Sequence, residues 1–267
     1  MILVTGASGQ LATQVLKHLE ESGTPAVGGT RNPANTMRFR KLDFDDPGTL
    51  NLEGIHTLVL ISAGAAEDDV VINRHENAIA AAERDGVRHI VYTSLAGEGD
   101  HLGFALAHRW TERRLRGSDT GWTILRNGLY AELIGHLLAP QNGVITAPFG
   151  SGGVAAVARQ DLAEAAAIVA RDSDVHSGKT YNMVGNQVIT GQAVADRLGV
   201  TYRPGTLGEL RRSLDAAELL PFQPAMLTSI HSAAAHGFLE ATSTDLTTLL
   251  GREPLDPLTL AVTAAQN

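Results

Sequence analysis

Near its start the chain reads Ile2-Leu3-Val4-Thr5-Gly6-Ala7-Ser8-Gly9-Gln10-Leu11-Ala12, a short apolar run followed by a glycine-rich turn. The residues after the turn are spaced as on an amphipathic helix, with Leu11, Val15 and Leu19 on one face. A buried strand that leads through such a turn directs backbone N–H groups and the positive end of a helix dipole towards an anion. The stretch therefore predicts a dinucleotide-binding loop at the start of a Rossmann-type domain.

The spacing within this loop is Gly-x-x-Gly-x-x-Ala. Gly6 permits the tight turn, Gly9 lets the backbone approach a phosphate, and Ala12 lets the helix pack close to the strand. The alternative is a structural turn that binds no nucleotide, which the order of strand, turn and helix disfavours. We expect the cofactor pyrophosphate to contact the loop residues Gly6, Ser8, Gly9, Gln10 and Leu11.

Composition excludes several classes of protein. The 267 residues are 43% hydrophobic, and 21 Lys plus Arg against 29 Asp plus Glu give a net charge of -8, which disfavours a nucleic-acid partner. The chain has no cysteine, and its ten histidines lack the short spacing of zinc sites, so we expect no metal. No apolar stretch reaches the roughly 20 residues of a membrane span, and no signal segment precedes the first strand. These features predict a cytoplasmic protein without membrane insertion.

Apolar runs with strand character alternate with helical patterns in the first half of the chain, which is typical of a parallel sheet with crossover helices. The predicted strands are 2–5, 26–30, 38–42, 57–61, 89–93 and 122–125. The second half reads mainly as helices, at 129–138, 161–171, 207–219, 224–236 and 244–250, with one strand at 178–184. The predicted fold is an α/β Rossmann-type doubly wound parallel sheet with a small, mostly helical C-terminal substrate lobe. The predicted domains are 1–130 for NAD(P) binding and 131–267 for the lobe.

Residues after the second and third strands predict the identity of the cofactor. Arg31 follows the second strand, where an acidic residue would favour NAD and an arginine offers a charged fork to a 2′-phosphate. The position favours NADPH, with NADH as the alternative, and the competing interpretation is a solvated loop arginine. Asp43 and the adjacent Phe44 follow the third strand and are predicted to bind the cofactor, with the Asp43 carboxylate accepting a hydrogen bond from the adenine amino group.

The fourth and fifth strands end in small and hydroxyl-bearing residues. Ser62-Ala63-Gly64 lets the dinucleotide lie across the carboxyl edge of the sheet. Thr93 and Ser94 end the fifth strand, where they are predicted to contact the nicotinamide ribose or a substrate carbonyl. The next residue, Leu95, is predicted to contact the substrate. The alternative is that these hydroxyls only cap their own loop.

Several motifs together resemble one family. They are the loop 6–12, Tyr92-Thr93-Ser94-Leu95, His108-x-x-x-Glu112, Leu125-Arg126-Asn127-Gly128-x-Tyr130, Arg159-x-Asp161 and Gly178-Lys179-x-Tyr181. In this order they resemble the NmrA-like atypical short-chain dehydrogenases, especially the bacterial NAD(P)H:quinone oxidoreductases among them. The resemblance covers most of the chain. It implies a Rossmann domain with a small C-terminal lobe, NADPH binding, and reduction of quinones or other conjugated carbonyl acceptors.

The chain departs from most short-chain dehydrogenases at the catalytic pair. They activate a carbonyl with Tyr-x-x-x-Lys, whereas here His108 stands at the tyrosine position and Glu112 at the lysine position. This departure disfavours ordinary alcohol dehydrogenase or epimerase chemistry. Hydride transfer to a quinone needs less assistance, and His108 is the candidate proton donor or orienting group, with Ser94 as the second catalytic candidate. The alternative for His108 is a helix histidine that only makes a hydrogen bond.

Polar residues follow the sixth strand, where the nicotinamide end of the cofactor and the substrate are expected to meet. Asn127 is predicted to hold a carboxamide or an acceptor oxygen, and Tyr130 to stack on a flat ring. The alternatives are that Arg126 has a structural role and that Tyr130 only packs between the lobes.

The sequence therefore predicts an NADPH-dependent oxidoreductase that acts on a small-molecule acceptor, a quinone or a similar conjugated carbonyl compound, as a monomer or homodimer. Two other functions stay open. One is an NmrA-like regulator that senses the dinucleotide without turnover. The other is a reductase or isomerase for a pathway-specific natural product.

Overall fold

The computed structural model describes residues 1–33, 38–63, 66–97 and 101–267. Its strands are β1 (Ile2–Val4), β2 (Ala26–Thr30), β3 (Phe39–Lys41), β4 (Thr57–Ile61), β5 (His89–Leu95), β6 (Gly121–Asn127), β7 (Val144–Ile145), β8 (Gly153–Val154), β9 (Lys179–Met183), β10 (Ile189–Thr190) and β11 (Thr201–Tyr202). The main sheet has seven strands in the order β3-β2-β1-β4-β5-β6-β9. The order reverses direction at β1, as in doubly wound sheets, and the predicted fold class is confirmed.

The helices are α1 (Gln10–Glu21), α2 (Asp68–Arg84), α3 (Ala105–Arg116), α4 (Ala131–Leu137), α5 (Arg159–Arg171), α6 (Gly191–Leu198), α7 (Leu207–Asp215), α8 (Gln223–Ala235), α9 (Asp245–Leu250) and α10 (Pro257–Ala265). All six strands predicted for the first half are present, with ends that differ by at most two residues. The helix predicted over 207–219 ends earlier, at Asp215. None of the helices within the described ranges combines the length and the apolar composition that a bilayer crossing requires.

Strand register aligns the ends that carry the predicted site. The pairs β1 with β2, β1 with β4 and β4 with β5 are parallel, with Val4 opposite Val59 and Ile61 opposite Thr93. The carboxyl ends of β1, β4 and β5 therefore lie at one edge of the sheet. The central residues of these strands are buried, with Leu3, Leu58 and Ile90 at 0% exposure, so that the hydrophobic core supports the edge.

The chain divides into two compact units. The first comprises Met1–Leu95, Leu106–Arg126 and Leu162–Tyr181, and the second comprises Ala96–Ala105, Asn127–Asp161 and Asn182–Asn267. Because the chain passes between the units several times, neither unit is one continuous segment. The predicted division into domains at residue 130 stays a prediction.

Candidate dinucleotide-binding and active site

The glycine loop between β1 and α1 is closed by its own backbone. Gly6 has a φ of +63°, which favours glycine, and the Gly9 amide donates to the Gly6 carbonyl oxygen at 2.8 Å. A Cβ at Gly9 would lie 3.2 Å from that same oxygen, closer than ordinary packing. The Ala7 amide donates to the Gly29 carbonyl oxygen of β2 at 2.9 Å, which fastens the loop to the sheet.

The loop leads into α1 with donors left for a ligand. Gly9 is the N-cap residue, in an extended conformation and without a side-chain capping bond, and the first N–H groups of any helix have no partner within it. Ser8 and Gln10 are exposed, whereas the Leu11 side chain packs in the core. An anion at this end of α1 would satisfy the free N–H groups and the helix dipole. The geometry of this loop suits a pyrophosphate, and the contact of the five predicted residues with the cofactor stays a prediction.

Arg31 lies exposed at the end of β2, and no described carboxylate lies within ion-pair distance of it. Hydrogen bonding to Arg74 lowers the pKa of Asp45, and the charge of Arg31 adds to that effect. The neighbouring Arg38, in contrast, pairs with Glu20. Among the described residues, Arg31 is therefore a cation at the predicted 2′-phosphate position whose charge no ion pair neutralises.

The segment after β3 is held by local hydrogen bonds. The Asp43 carboxylate accepts the Asp45 amide at 3.1 Å, and the Asp43 amide donates to Thr49 Oγ1 at 2.9 Å. The Phe44 carbonyl oxygen accepts from Asn77 Nδ2 at 2.9 Å, and its ring packs on the core. These bonds hold the backbone of Asp43 and Phe44 in place, and the cofactor-binding roles of both residues stay predictions.

Side chains from neighbouring elements hold the end of β4. The Ser62 amide donates to Thr93 Oγ1 at 3.1 Å, and the Ala63 amide donates to His75 Nε2 at 3.0 Å. Gly64, also predicted to contact the dinucleotide, lies outside the described residues. Thr93 therefore holds the backbone at the end of β4 through its hydrogen bond with the Ser62 amide. Its contact with the cofactor stays a prediction.

His108 on α3 pairs with a buried tyrosine. The Tyr92 hydroxyl lies 2.8 Å from His108 Nδ1, and burial raises the pKa of the Tyr92 phenol. Burial, followed by the charge of Arg109, lowers the pKa of His108 to about 4, so its imidazole is uncharged at neutral pH. With the phenol as donor to Nδ1, the imidazole proton resides on Nε2. His108 then offers a neutral hydrogen-bond donor and not an acidic imidazolium.

Glu112 is the buried centre of an ionic cluster. Ser94 Oγ donates to Glu112 Oε1 at 2.7 Å, and Arg126 binds both carboxylate oxygens at 2.9 and 2.7 Å. Arg109 and Arg116 also donate to this carboxylate, which is 1% exposed. Burial alone would raise the pKa of Glu112, but the hydrogen bonds from Arg126 and Ser94 outweigh it and hold the pKa below its ordinary value. The cluster joins β5, α3 and β6.

This cluster changes how two sequence predictions are understood. The Ser94 proton points to Glu112, so Ser94 approaches any ligand through its oxygen lone pairs. Arg126 has the structural role that the sequence left open. Leu95 is 6% exposed, and its carbonyl oxygen accepts from Arg109 Nη1 at 3.0 Å. The catalytic role of Ser94 and the substrate contact of Leu95 stay predictions.

The second unit holds the remaining two candidates. Asn127 is 7% exposed, and its Oδ1 is a buried atom without a hydrogen-bond partner among the described residues. A buried amide oxygen without a donor is costly, so it fits a ligand N–H such as that of a carboxamide. The Arg159 guanidinium lies 4.6 Å from the centre of the Tyr130 ring, and burial raises the pKa of Tyr130. Stacking of Tyr130 on a substrate stays a prediction.

The sequence analysis missed two hydrogen-bonding contacts in the first unit. His75 is fully buried on α2 and holds the Ala63 amide, and the bond between Tyr92 and His108 links β5 to α3. The sequence signal for His75 was its position on the apolar face of α2 with Val71, which does not show its partner. Across the described ranges no group of three or more His, Cys, Asp or Glu could hold a metal ion, and the prediction of no metal stays a prediction.

A Rossmann sheet, a glycine loop whose geometry suits a pyrophosphate and an exposed arginine directly after β2 define a dinucleotide-binding protein. The chain belongs to the NAD(P)H-binding family, whose sequence profile matches residues 6–173. Quinone oxidoreductase 2 of Escherichia coli is 33% identical to it over 94% of each chain. An NmrA-like family domain-containing oxidoreductase of Aspergillus flavus is 27% identical over 96% of this chain and 92% of its own.

A solved structure gives the same result. The NADPH-dependent quinone oxidoreductase of Escherichia coli, in complex with NADPH, superposes with a TM-score of 0.88 at 31% identity and covers 100% of both chains. The resemblance predicted from the motifs is confirmed, and so is the NAD(P)H class of cofactor.

Proposed function

We propose that the chain is an NADPH-dependent oxidoreductase that transfers a hydride to a quinone or a similar conjugated carbonyl acceptor. The proposal rests mainly on the ionisation states of His108 and Glu112, which stand where most short-chain dehydrogenases have the Tyr and Lys of Tyr-x-x-x-Lys. His108 is uncharged at neutral pH, and Glu112 is an ionised carboxylate bound by arginines, so neither is a strong proton donor. A quinone needs no strong acid at the hydride step because conjugation spreads its developing negative charge. The likeness to Escherichia coli quinone oxidoreductase 2 supports the same class of acceptor.

Each part of the site has a task in this reaction. The glycine loop binds the pyrophosphate, and Arg31 binds the 2′-phosphate. Bound NADPH supplies a hydride with its electron pair, and one proton from water completes the reduction of a quinone to a hydroquinone. The Nε2–H of neutral His108 donates a hydrogen bond to the acceptor oxygen on which negative charge develops. Asn127 Oδ1, a buried oxygen without a partner among the described residues, accepts an amide N–H of a ligand.

An acceptor panel tests the proposal. NADPH oxidation is followed at 340 nm with benzoquinone, naphthoquinones and a simple ketone, and hydroquinone formation is checked by chromatography. We expect turnover with the quinones and none with the ketone, because a ketone needs an acid that this site lacks. Tight NADPH binding without turnover on any acceptor would overturn the proposal in favour of a dinucleotide sensor. Turnover restricted to one complex carbonyl compound would favour a natural-product reductase.

The role of His108 gives a second test. His108→Ala is expected to lower kcat with a quinone by roughly 10²-fold, because a donor to the developing oxyanion is lost. The dissociation constant of NADPH is expected to stay within about twofold, since the hydrogen bond forms with the acceptor. His89→Leu is the control, because His89 is another buried histidine, at the start of β5, and its loss leaves the pair of Tyr92 and His108 in place. An equal loss of kcat in both variants would return His108 to a packing role.

We further propose a cytoplasmic location and assembly as a monomer or homodimer. A chain without cysteine suits a reducing compartment, where NADPH serves reductases. Light scattering coupled to size exclusion measures the assembly directly, and a tetramer or larger species would contradict it.

A further inference from the structure

The end of β4 is held by two side chains that come from different elements. Thr93 of β5 accepts the Ser62 amide, and His75 of α2 accepts the Ala63 amide at 3.0 Å. Both amides lie at the carboxyl edge of the sheet, where open α/β sheets bind dinucleotides. The conformation of this edge therefore depends on His75, which is 12 residues away in the sequence.

Hydrogen bonds around His75 define which nitrogen carries the proton. His75 Nδ1 lies 2.8 Å from Thr111 Oγ1, and Thr111 Oγ1 donates its own proton to the Ala107 carbonyl oxygen at 2.7 Å. Thr111 therefore accepts from Nδ1–H, and Nε2 is left as the acceptor for Ala63. The result is a directed chain of hydrogen bonds from the sheet edge through α2 into α3.

Packing alone does not account for an imidazole at this position. The side chain is 0% exposed, and an apolar side chain of similar size would fill the space without burying polar nitrogens. Burial, followed by the charges of His108 and Arg74, lowers the pKa of His75 to about 3, so Nε2 stays an acceptor at neutral pH. The imidazole is explained by the backbone amide that it holds.

We propose that His75 is a positioning residue for the cofactor. It holds the backbone of Ser62 and Ala63 in the conformation that receives the dinucleotide, and it links this edge to α3, the helix that carries His108. The proposal rests on the proposed function only for the binding of NADPH, and it does not depend on the acceptor.

The chain offers a matched control in His89. His89 is 2% exposed, its Nε2 lies 2.8 Å from Thr123 Oγ1, and Thr123 Oγ1 donates to the His176 carbonyl oxygen. It is therefore a second buried histidine that donates to a threonine, which in turn donates to a backbone carbonyl. His89 begins β5 and so lies at the opposite, amino end of the strand. Loss of His89 removes the same kind of core interaction away from the dinucleotide edge.

The test compares NADPH affinity in His75→Leu and His89→Leu. We expect the dissociation constant, measured by calorimetry on protein shown to be folded by circular dichroism, to rise about tenfold in His75→Leu, the equivalent of one hydrogen bond. In His89→Leu it is expected to change by less than about twofold, although both variants lose thermal stability. Equal losses of affinity in the two variants would overturn the proposal.

Two further variants separate positioning from packing. His75→Gln places an amide oxygen where Nε2 lies, and we expect it to restore most of the NADPH affinity that His75→Leu loses. An affinity in His75→Gln no better than in His75→Leu would contradict the proposal. If His75→Leu fails to fold, Thr111→Val and Thr123→Val decide the question. Thr111→Val is expected to weaken NADPH binding and Thr123→Val to leave it unchanged, and equal effects would overturn the proposal.

The two proposals fail in different ways. If the wild-type protein binds NADPH and reduces no acceptor, the proposed function fails and the comparison of affinities still tests His75. If quinones are reduced and the His75 variants bind NADPH as well as the wild type does, the positioning role fails and the function stands.

Discussion

Arg31 carries the expected preference for NADPH over NADH. The two cofactors differ by a 2′-phosphate, and a guanidinium offers that group a charge-assisted, two-pronged hydrogen bond. None of the described carboxylates pairs with Arg31, whereas Arg38 and Arg74 each form an ion pair with a carboxylate. The positive charge of Arg31 is therefore not neutralised by an ion pair among the described residues.

The variant Arg31→Ala is expected to weaken NADPH binding by about 1.5 to 3 kcal/mol and to leave NADH binding nearly unchanged. Both dissociation constants are measured by fluorescence titration at one salt concentration, because exposed charges are screened. Arg211→Ala is the control for loss of a surface charge, since Arg211 pairs with Asp215 on α7. Parallel losses for NADPH and NADH would remove Arg31 from the 2′-phosphate site.

In the second unit, helices α4 and α10 pack closely against each other. Helix α4 approaches α10 at Gly135, where a Cβ would lie 2.2 Å from the Ala261 carbonyl oxygen and 2.7 Å from the Ala264 Cβ. The predicted helix 129–138 corresponds to α4, but the predicted elements did not include α10. Periodicity shows which face of a helix is apolar, whereas its partner is set by the tertiary structure.

Gly135→Ala is expected to lower the free energy of unfolding by about 2 to 3 kcal/mol, because the two helices must move apart. Urea unfolding monitored by circular dichroism measures the change. Gly208→Ala on α7 serves as the control, since its nearest neighbour would be Arg212 Nη1 at 3.7 Å and alanine favours a helix. A stability of Gly135→Ala equal to that of Gly208→Ala would show that the approach of α4 to α10 is looser than the structure indicates.

Buried histidines link the stability of the whole molecule to pH. Burial is the main cause that lowers the pKa of His75 to about 3 and those of His89 and His108 to about 4, from an ordinary value of 6.5. Above pH 6.5 these groups are neutral in the folded and unfolded states alike. Between 6.5 and about 4 the unfolded chain binds protons that the folded protein does not, so stability falls as the pH falls.

We therefore expect the free energy of unfolding to decrease from pH 7 to pH 5, by at most about 1.4 kcal/mol per pH unit for each histidine. Urea unfolding at pH 5, 6 and 7 measures the slope. His89→Gln is expected to flatten it, because one of the groups that titrate in the unfolded state is lost. An unchanged slope in His89→Gln would mean that His89 takes up its proton in the folded protein as readily as in the unfolded chain.

Local patterns were enough to predict the nucleotide fold and its cofactor class. The glycine loop and the six strands of the first half are indicated by residue types that recur at short spacing in the sequence. The missing Tyr-x-x-x-Lys is likewise visible in the sequence, and it narrows the chemistry to an easily reduced acceptor.

By itself the sequence thus determined that the chain has a dinucleotide-binding fold, because a strand, a turn and a helix N-terminus are formed by consecutive residues. Only the tertiary structure decided which distant side chains meet. Ser94 and Arg126 converge on Glu112, and His75 reaches the Ala63 amide. These contacts depend on strand register and on the rotation of each helix against the sheet, which are set by packing across the whole core.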